Sequence, residues 1–511
     1  MKYNHIQQMI KAAAFCAIIG TGSFFASCED MLETKNFMDM SPGNFFQTEG
    51  DMEAATTGLY KPCTTDWGYD DGGWKQALFN ADYSAYNPAG MLSTDIVRSY
   101  NGNHDYDIFN VGPSTGGPIE STYNIIRFVA RGTDVINRIE QSSGATEDIR
   151  RRFIAETKTL RAFYMFTLLD WFGPVNVKLD PETLMSNVIE PRPSLADYVG
   201  YIEKDLDDAI NTPSFPDKYN DNASQWGRMS KSIAYALRMK LYMHQKDWSK
   251  AKAAASQLMT MGYSLLPDYN DVFNLKQQAE HIWSIPANEA SDNFFMPEVI
   301  PGDFRRGYNH LDEPYMRGDS DWGGWQEYCM RWDFYDTFQD NDVRKRGILG
   351  KYENNAGVMK DRTNGMVGAI PIKFTDTQTL LSNPFGIQKD QPVIRYAEVL
   401  LSYAEAENEL NGPTPGAVAA LKQVTDRAQV EIPASATASK DTFRSYLLQE
   451  RGHELYCEGQ RRQDLIRHGE YITRAYARGC NAKEHQTLYP IPQNVITEAG
   501  GILEQNAGYT N

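Results

Sequence analysis

Apolar residues recur every three or four positions through much of this chain, which is the spacing of helices with one buried face. The segment "KSIAYALRMKLYMHQKDWSKAKAAASQLMTMGY" (231–263) carries two such stripes, separated by the polar turn "HQKD". The segment "VIRYAEVLLSYAEAENELNGPTPGAVAALKQVTDRAQ" (393–429) carries two more, the first starting at Ile394, with a Gly/Pro break between them. Each predicted pair has an apolar face that it cannot bury alone. The pattern therefore predicts tetratricopeptide-like helix pairs that stack into a scaffold.

Two further helices are predicted earlier in the chain. One covers "IESTYNIIRFVARGTDVINRIE" (119–140), and the other covers "RRFIAETKTLRAFYMFTLLDWFGPV" (151–175) with its stop at Gly173 and Pro174. The short run "HIWSIP" (281–286) reads as a strand. Trp171, Trp248 and Trp283 lie in these apolar runs, so we expect them in the core. The predicted fold class is mostly α, with minor β.

Two long segments, 61–118 and 287–330, have a different character. They are rich in Gly, Pro, Asn, Asp and aromatic residues and show little helical or strand period. Loops of this length in a compact chain are usually functional or disordered, and the aromatic content argues against disorder. We therefore look for a binding site in these two segments.

The amino terminus has the pattern of a bacterial secretory signal. Lys2 and Lys11 supply positive charge, an apolar run follows, and the small residues Ala26 and Ser27 stand directly before Cys28. Glycines and polar residues interrupt the apolar run, so it is too short for a good membrane span. The spacing resembles a lipobox, in which residues 1–27 are removed and Cys28 is acylated, with palmitate as one candidate chain. The alternative is that Cys28 only lies near an ordinary cleavage site.

Charge and motif content narrow the function classes. The 511 residues contain 67 Asp and Glu against 50 Lys and Arg, a formal net charge of −17. This balance argues against nucleic-acid binding. No P-loop, dinucleotide fingerprint, zinc motif or nucleophile elbow is present, so we predict no cofactor. The segment "DTFQDNDVRKR" (336–346) lacks EF-hand spacing and reads as a charged turn. A structural calcium ion stays open, and so does the disulfide state of four cysteines: Cys63, Cys329, Cys457 and Cys480.

Five segments, in order, resemble one known family. They are "SPGNFFQTEGDMEAATTGLY" (41–60), "LRAFYMFTLLDWFG" (160–173), "IRYAEVLLSYAEAENEL" (394–410), "ERGHELYCEGQRRQDLIRHG" (450–469) and "LYPIPQNVITEAGGILEQNAGY" (488–509). The family is that of the SusD/RagB-like nutrient-binding outer-membrane lipoproteins of Bacteroidetes. Each segment is a weak signal alone, but together they cover nearly all of the chain after the signal.

The resemblance implies a single SusD-like domain over 28–511. Within it, 28–40 would be a flexible tether, 41–286 an N-terminal part with helix pairs, and 287–511 a C-terminal SusD/RagB part. It also implies a lipid-anchored protein on the outer membrane, facing the cell exterior. Such a protein captures an oligo- or polysaccharide, passes it to a SusC-like TonB-dependent transporter and has no enzymatic activity. Two alternatives stay open, a peptide-capturing RagB-like binding protein and a surface glycosidase.

Three glutamates near the carboxyl end admit two interpretations. Glu450, Glu454 and Glu458 share one face of a predicted helix and lie close in sequence to Arg461, Arg462 and Asp464. Paired carboxylates are what a glycosidase needs. Glutamates and arginines at three- and four-residue spacing equally form ion pairs on a packed helix, and we favour that interpretation.

The candidate ligand-binding residues come from the two irregular segments. Aromatic rings on loops can stack on sugar rings while neighbouring polar groups bind hydroxyls. The strongest stretch is "GDSDWGGWQEY" (318–328). The protein's acidic balance disfavours a polyanionic ligand, but Arg98, Arg305 and Arg306 would counter it locally. The predicted ligand-binding residues are Trp322, Trp325, Tyr308, Tyr315, Trp67, Tyr69, Trp74, Tyr100, Arg98 and Asn101.

Overall fold

The structure is a computed structural model. From Thr48 to the carboxyl end the chain forms one compact unit. The predicted signal, the acylation site Cys28 and the tether lie outside the described residues. Residues 308–310 and 313–315 are described by their backbone alone. The described residues are 45–64, 78–79, 86, 90–100, 104–287, 298–305, 308–310, 313–315, 324–374 and 389–510.

The fold is mostly helical, as predicted. Short 3₁₀ helices lie between the α-helices, at Pro181–Thr183, Ala223–Gln225, Val343–Gly347, Ala434–Thr437 and Glu484–Thr487. The α-helices are α1 Glu49–Gly58, α2 Gly90–Leu92, α3 Asp105–Ile108, α4 Pro118–Tyr123, α5 Ile126–Gln141, α6 Glu147–Phe172, α7 Leu195–Ile210, α8 Lys231–Gln245, α9 Trp248–Met259, α10 Asp271–Asn274, α11 Trp332–Tyr335, α12 Tyr396–Asn411, α13 Pro415–Arg427, α14 Lys440–Leu455, α15 Arg461–Arg467, α16 Tyr471–Ala477 and α17 Gln493–Glu498.

The strands are short, and those of the described residues form antiparallel pairs. They are β1 Val97–Ser99, β2 His281–Ile285, β3 Tyr308–His310, β4 Glu313–Tyr315, β5 Tyr328–Met330, β6 Ile348–Leu349, β7 Lys351–Glu353, β8 Met359–Asp361, β9 Ile370–Pro371 and β10 Gln391–Arg395. The pairs are β1 with β5, β2 with β10, β3 with β4, β6 with β9 and β7 with β8.

The predicted helix pairs are confirmed. Helices α8 and α9 pack as one pair, α12 and α13 as another, and α9 packs on α12, so the two pairs stack. Lys246 turns the chain between α8 and α9 in a left-handed conformation (φ 57°), and the Asp247 side chain caps α9. Ala251 and Ala255 on α9 are fully buried, because small side chains let the helices approach closely.

Helix α6 is the central element, and it differs from the amphipathic expectation. Thr146 caps its start, and Gly173 ends it with φ 72°. Every residue from 159 to 172 is buried, because α5 and α7 pack against α6 and other parts of the chain cover its remaining faces. A helix that is buried on all sides needs no polar stripe. Trp171 and Trp283 are core residues as predicted, whereas Trp248 is only half-buried at the first turn of α9.

Two predicted helix boundaries are wrong. Segment 119–140 forms two helices, α4 and α5, because the chain tightens between them: the Ile125 N–H donates to the carbonyl three residues back, at Thr122 (3.3 Å). Ile394 belongs to β10 instead of a helix. Its strand pairs with β2 through a bulge, and α12 begins only at Tyr396.

Contacts across long sequence separations close the fold. The Arg461 guanidinium donates twice to Asp95 (2.8 and 2.9 Å), 366 residues away along the chain. Arg462 pairs with Asp170 at the end of α6 (3.0 Å). Arg461 and Arg462 lie in the segment 450–469 that carries the family resemblance. They therefore join the carboxyl-terminal helices to the amino-terminal half.

A buried ion network lies behind β10. Arg395, 1% exposed, contacts Glu280 (2.9 Å), Glu454 (2.5 Å) and Glu458 (2.7 Å). Arg344, which is fully buried, contacts Glu450 (2.6 Å). The other members of this network are Asp342, Lys373 and Arg427.

Candidate functional site

The three glutamates of the possible acid/base pair are structural. Glu450 and Glu454 lie on α14, Glu458 lies just beyond its end, and all three are buried against cations. Although burial opposes it, the nearby arginines hold the pKa of each of these carboxyls below its usual range. The ion-pair interpretation is confirmed, but its predicted partners are wrong. The cations are those of the network behind β10, and Arg461 and Arg462 bind elsewhere.

The pairing of β1 with β5 brings together residues from the two irregular segments. Arg98 lies opposite Cys329, and beyond the strand the Tyr100 N–H donates to the Glu327 carbonyl (2.7 Å). Trp325 lies two residues before Glu327 and is 41% exposed. Of the ten predicted ligand-binding residues, Arg98 thus lies on this ladder, Tyr100 extends it by one hydrogen bond, and Trp325 lies two residues beyond that bond.

Alternation along β1 decides which side chains can meet a ligand. Val97 and Ser99 are buried, whereas Arg98 and Tyr100 are half-buried on the opposite face. The Arg98 Nε donates to the Ser99 carbonyl (3.2 Å), and no other hydrogen bond or ion pair of Arg98 is present in the described part of the chain. The half-buried side chains of Arg98 and Tyr100 therefore carry polar groups that no other side chain binds in an ion pair or hydrogen bond among the described residues.

Asp107 fixes this ladder from behind. Its carboxylate accepts from the Ser99 N–H (3.0 Å) and the Ser99 hydroxyl (3.3 Å), and it pairs with Arg331. The Arg331 Nε in turn donates to the Val97 carbonyl (3.2 Å). Because Asp107 binds Ser99 on β1 and Arg331 directly after β5, it fixes the two strands to each other as a base for the neighbouring residues.

The β7–β8 hairpin adds a second aromatic group. The Tyr352 ring stacks on Phe304 (centroids 5.3 Å apart, planes at 19°), and its hydroxyl donates to Asp303 (2.7 Å). Burial and Asp303 raise the pKa of Tyr352 well above its usual value, and Tyr100 adds to that shift. The sequence interpretation missed Phe304 and Tyr352, because a three-residue strand gives no periodic signal. Phe304 (1% exposed) and Tyr352 (5% exposed) are themselves buried, so they support the site and do not face a ligand. We call Arg98, Tyr100 and Trp325 the platform.

The β3–β4 hairpin places two more predicted residues opposite each other. Tyr308 on β3 is the direct register partner of Tyr315 on β4. Their backbone positions are described, and their side chains are not. The other predicted ligand-binding residues lie outside the described residues: Trp322, Trp67, Tyr69, Trp74 and Asn101.

A cavity of about 240 Å³ lies elsewhere, between helices of the scaffold. Its wall includes Lys240 and Glu398, which pair with each other (2.6 Å), and Arg467, which pairs with Glu405 (2.6 Å). Burial lowers the pKa of His244, which also lines it. Because these charges are matched within the protein, we assign this cavity to the scaffold.

The described residues contain no group of three or more His, Cys, Asp or Glu side chains that could hold a metal ion. Within the same ranges, no helix is both long enough and apolar enough to cross a bilayer. Cys63, Cys329, Cys457 and Cys480 are all free thiols.

Comparison with known proteins gives consistent matches. The model of the SusD family matches residues 347–509. A SusD-like protein, P25, from Formosa agariphila is 25% identical over 94% of this chain and 96% of its own length. The starch-binding protein SusD of Bacteroides thetaiotaomicron is 21% identical, with both chains covered in full.

Solved structures share the fold. A laminarin-binding SusD-like protein superposes with a TM-score of 0.73 at 21% identity, over 91% of this chain and 100% of its own. Surface glycan-binding protein A from Bacteroides thetaiotaomicron, in complex with laminarihexaose, superposes with a TM-score of 0.71 at 21% identity, over 90% of this chain and 99% of its own.

Proposed function

Because this chain belongs to the SusD family, we propose that it is a cell-surface glycan-binding lipoprotein. In this proposal it captures an oligo- or polysaccharide and passes it to a SusC-like TonB-dependent transporter. The platform is the observation that carries the proposal. It combines flat rings with polar groups that are not used up inside the protein, on strands held rigid by Asp107.

The chemistry of the platform suits a sugar. The exposed Trp325 ring can cover the apolar face of a pyranose, while Arg98 and Tyr100 donate to its hydroxyl groups. A preformed site loses little conformational freedom on binding. The names of the relatives support a glycan as the ligand, since one is starch-binding and another laminarin-binding. The three glutamates that a glycosidase interpretation would use are committed to buried ion pairs, so we propose binding without turnover.

The binding experiment uses the protein truncated to begin after Cys28. Affinity electrophoresis and calorimetry across plant, host and microbial polysaccharides should reveal one class of glycan that binds. Trp325→Ala should weaken binding at least tenfold, because one stacking ring is lost. The matched control is Tyr476→Ala, which removes an aromatic ring that is 51% exposed on α16. Binding of peptides without any glycan would refute the proposal, and so would cleaved oligosaccharide accumulating beyond the amount of protein.

The cellular part of the proposal needs the full chain. Metabolic labelling with a palmitate analogue should mark the wild-type protein and not Cys28→Ser, and protease added to whole cells should digest the anchored protein. Purification of the anchored protein from outer membranes should retain a TonB-dependent transporter. An unlabelled wild-type chain would refute the anchor, and recovery without any transporter would refute the partnership.

A further inference from the structure

Three arginines lie around β1 and β5, and only one of them forms an ion pair with a described carboxylate. Arg98 lies on β1, Arg331 follows β5 directly, and Arg478 follows α16. In the described part of the chain, Asp107 is the one carboxylate that forms an ion pair with any of the three, and it pairs with Arg331. Arg98 and Arg478 therefore have no ion-pair partner among the described residues.

Arg478 is held close to this group without an acidic partner. Its Nη2 donates to the Ser93 carbonyl (3.1 Å), four residues before β1. Its Nε and Nη1 are buried and have no hydrogen-bond partner among the described residues. Guanidinium groups cannot lose their charge in a protein, so Arg478 stays positively charged near the segment that leads into β1.

The electrostatics of neighbouring groups show that the three charges act on one another. Burial lowers the pKa of Arg331, and the charges of Arg478 and Arg98 lower it further, while Asp107 and Asp333 oppose the shift. Burial also raises the pKa of Cys329 to about 12, against the charges of Arg98 and Arg331. Arg98 and Arg331 therefore both lie near the buried thiol at the centre of the ladder.

Within this group Arg98 is the member that a ligand can reach. It is half-buried on the same face of β1 as Tyr100, and its guanidinium donates only to a backbone carbonyl. The nearest acidic side chain along the ladder, Glu327, is exposed and forms no ion pair with it. A planar guanidinium in this setting binds carboxylates and sulfates through two parallel N–H bonds, more strongly than it binds neutral hydroxyls.

We infer that the glycan bound by the platform is acidic, with a carboxylate or sulfate group that pairs with Arg98. This inference rests on the proposed function and names the class of its ligand. It also gives a reason for an unpaired arginine group on a protein of net charge −17. The overall negative charge would repel a polyanion at long range, and the unpaired charge of Arg98 would attract an acidic group where the ligand binds.

The experiment compares matched ligands on the protein that begins after Cys28. Polygalacturonate is tested beside the same polymer after chemical reduction of its carboxyl groups. Chondroitin sulfate is tested beside its desulfated form, and laminarin and starch serve as neutral glycans. We expect at least one intact acidic polymer to bind. Its affinity should fall as the salt concentration rises about tenfold, from about 50 to about 500 mM, because salt screens the ion pair. The reduced or desulfated form of the same polymer should bind at least tenfold more weakly.

Arg98→Gln should weaken acidic-glycan binding by about 10- to 100-fold, which is the range for a lost charge-assisted hydrogen bond. Arg98→Lys should retain part of the affinity, since lysine keeps the positive charge but cannot donate two parallel N–H bonds to one acidic group. Arg138→Gln is the control, because Arg138 pairs with Asp134 on α5. Equal circular dichroism and thermal unfolding of the variants will show that they are folded.

The outcomes separate this inference from the proposed function. Binding of neutral glycans alone would overturn the acidic ligand and leave glycan capture intact. Acidic-glycan binding that Arg98→Gln leaves unchanged would overturn the role of Arg98. The absence of binding to any glycan would overturn the inference together with the proposed function.

Discussion

Replacing Arg395 with methionine tests how the carboxyl-terminal helices are held to β10. Arg395 is 1% exposed and donates to Glu280, Glu454 and Glu458. Methionine keeps much of the volume and removes the charge. The network of five carboxylates and four cations would then have three cations, and Glu458 would keep only Lys373.

The expected loss of stability is large. Breaking a buried ion pair by removing one partner costs about 3–5 kcal/mol, because the remaining charge stays buried without compensation. That is a large part of a typical unfolding free energy of about 5–15 kcal/mol. The second variant, Arg395→Met with Glu458→Gln, removes one of the uncompensated carboxylates and should recover about 1–2 kcal/mol.

Urea unfolding at pH 7, followed by tryptophan fluorescence, measures the free energy of unfolding. The control is Arg362→Gln, whose pair with Asp336 is exposed on both sides and should contribute about 0–1 kcal/mol. If Arg395→Met lowers the free energy of unfolding no more than this control does, the network does not hold the carboxyl-terminal helices to β10.

Three further predictions concern pH, backbone packing and thiols. Burial lowers the pKa of His281 from 6.5 to about 3, so the unfolded state gains this proton first, and stability falls as pH drops from 6.5 towards 3. The loss is about 2 kcal/mol at pH 5, and urea unfolding of His281→Phe between pH 7 and 5 should lack this part of the slope. Gly368→Ala should lower the free energy of unfolding by about 1–3 kcal/mol and weaken glycan binding, since its Cβ would lie 2.4 Å from the Met330 carbonyl oxygen. The control is Gly58→Ala, which has open space around it and should be neutral in the same unfolding and binding assays. Burial raises the pKa of three thiols to about 12, so mass spectrometry after iodoacetamide at pH 8 should find them unmodified until urea unfolds the protein; labelling in the native state would refute this expectation. These thiols are Cys63, Cys329 and Cys457.

The helical scaffold was predictable because its pattern is local. Stripes at three- and four-residue spacing identify α8, α9 and α13 whatever their partners are. Helix α6 was predictable in position but not in its burial on all sides, because its neighbours come from distant parts of the chain. The start of α12 was misplaced because Ile394 continues the helical stripe while its backbone pairs with β2.

The candidate site was predictable only in composition. Arg98, Tyr100 and Trp325 could be singled out as loop residues, but their meeting depends on two strands of three residues each that are about 230 positions apart. Such strands leave no periodic trace in a sequence. Tyr352 gave no signal for the same reason, and the partners of Glu454 were hidden because Arg395 and Arg344 are distant in sequence.

The pairing of Asp95 with Arg461 has a consequence for how the protein is made. A chain that is still growing from the ribosome cannot form this bond until residue 461 has emerged, and Arg462 with Asp170 imposes the same delay on the end of α6. Contacts between such distant positions also slow folding once the chain is complete, because the closure of long loops comes first. Asp95 and Asp170 therefore lack these two arginine partners for most of synthesis.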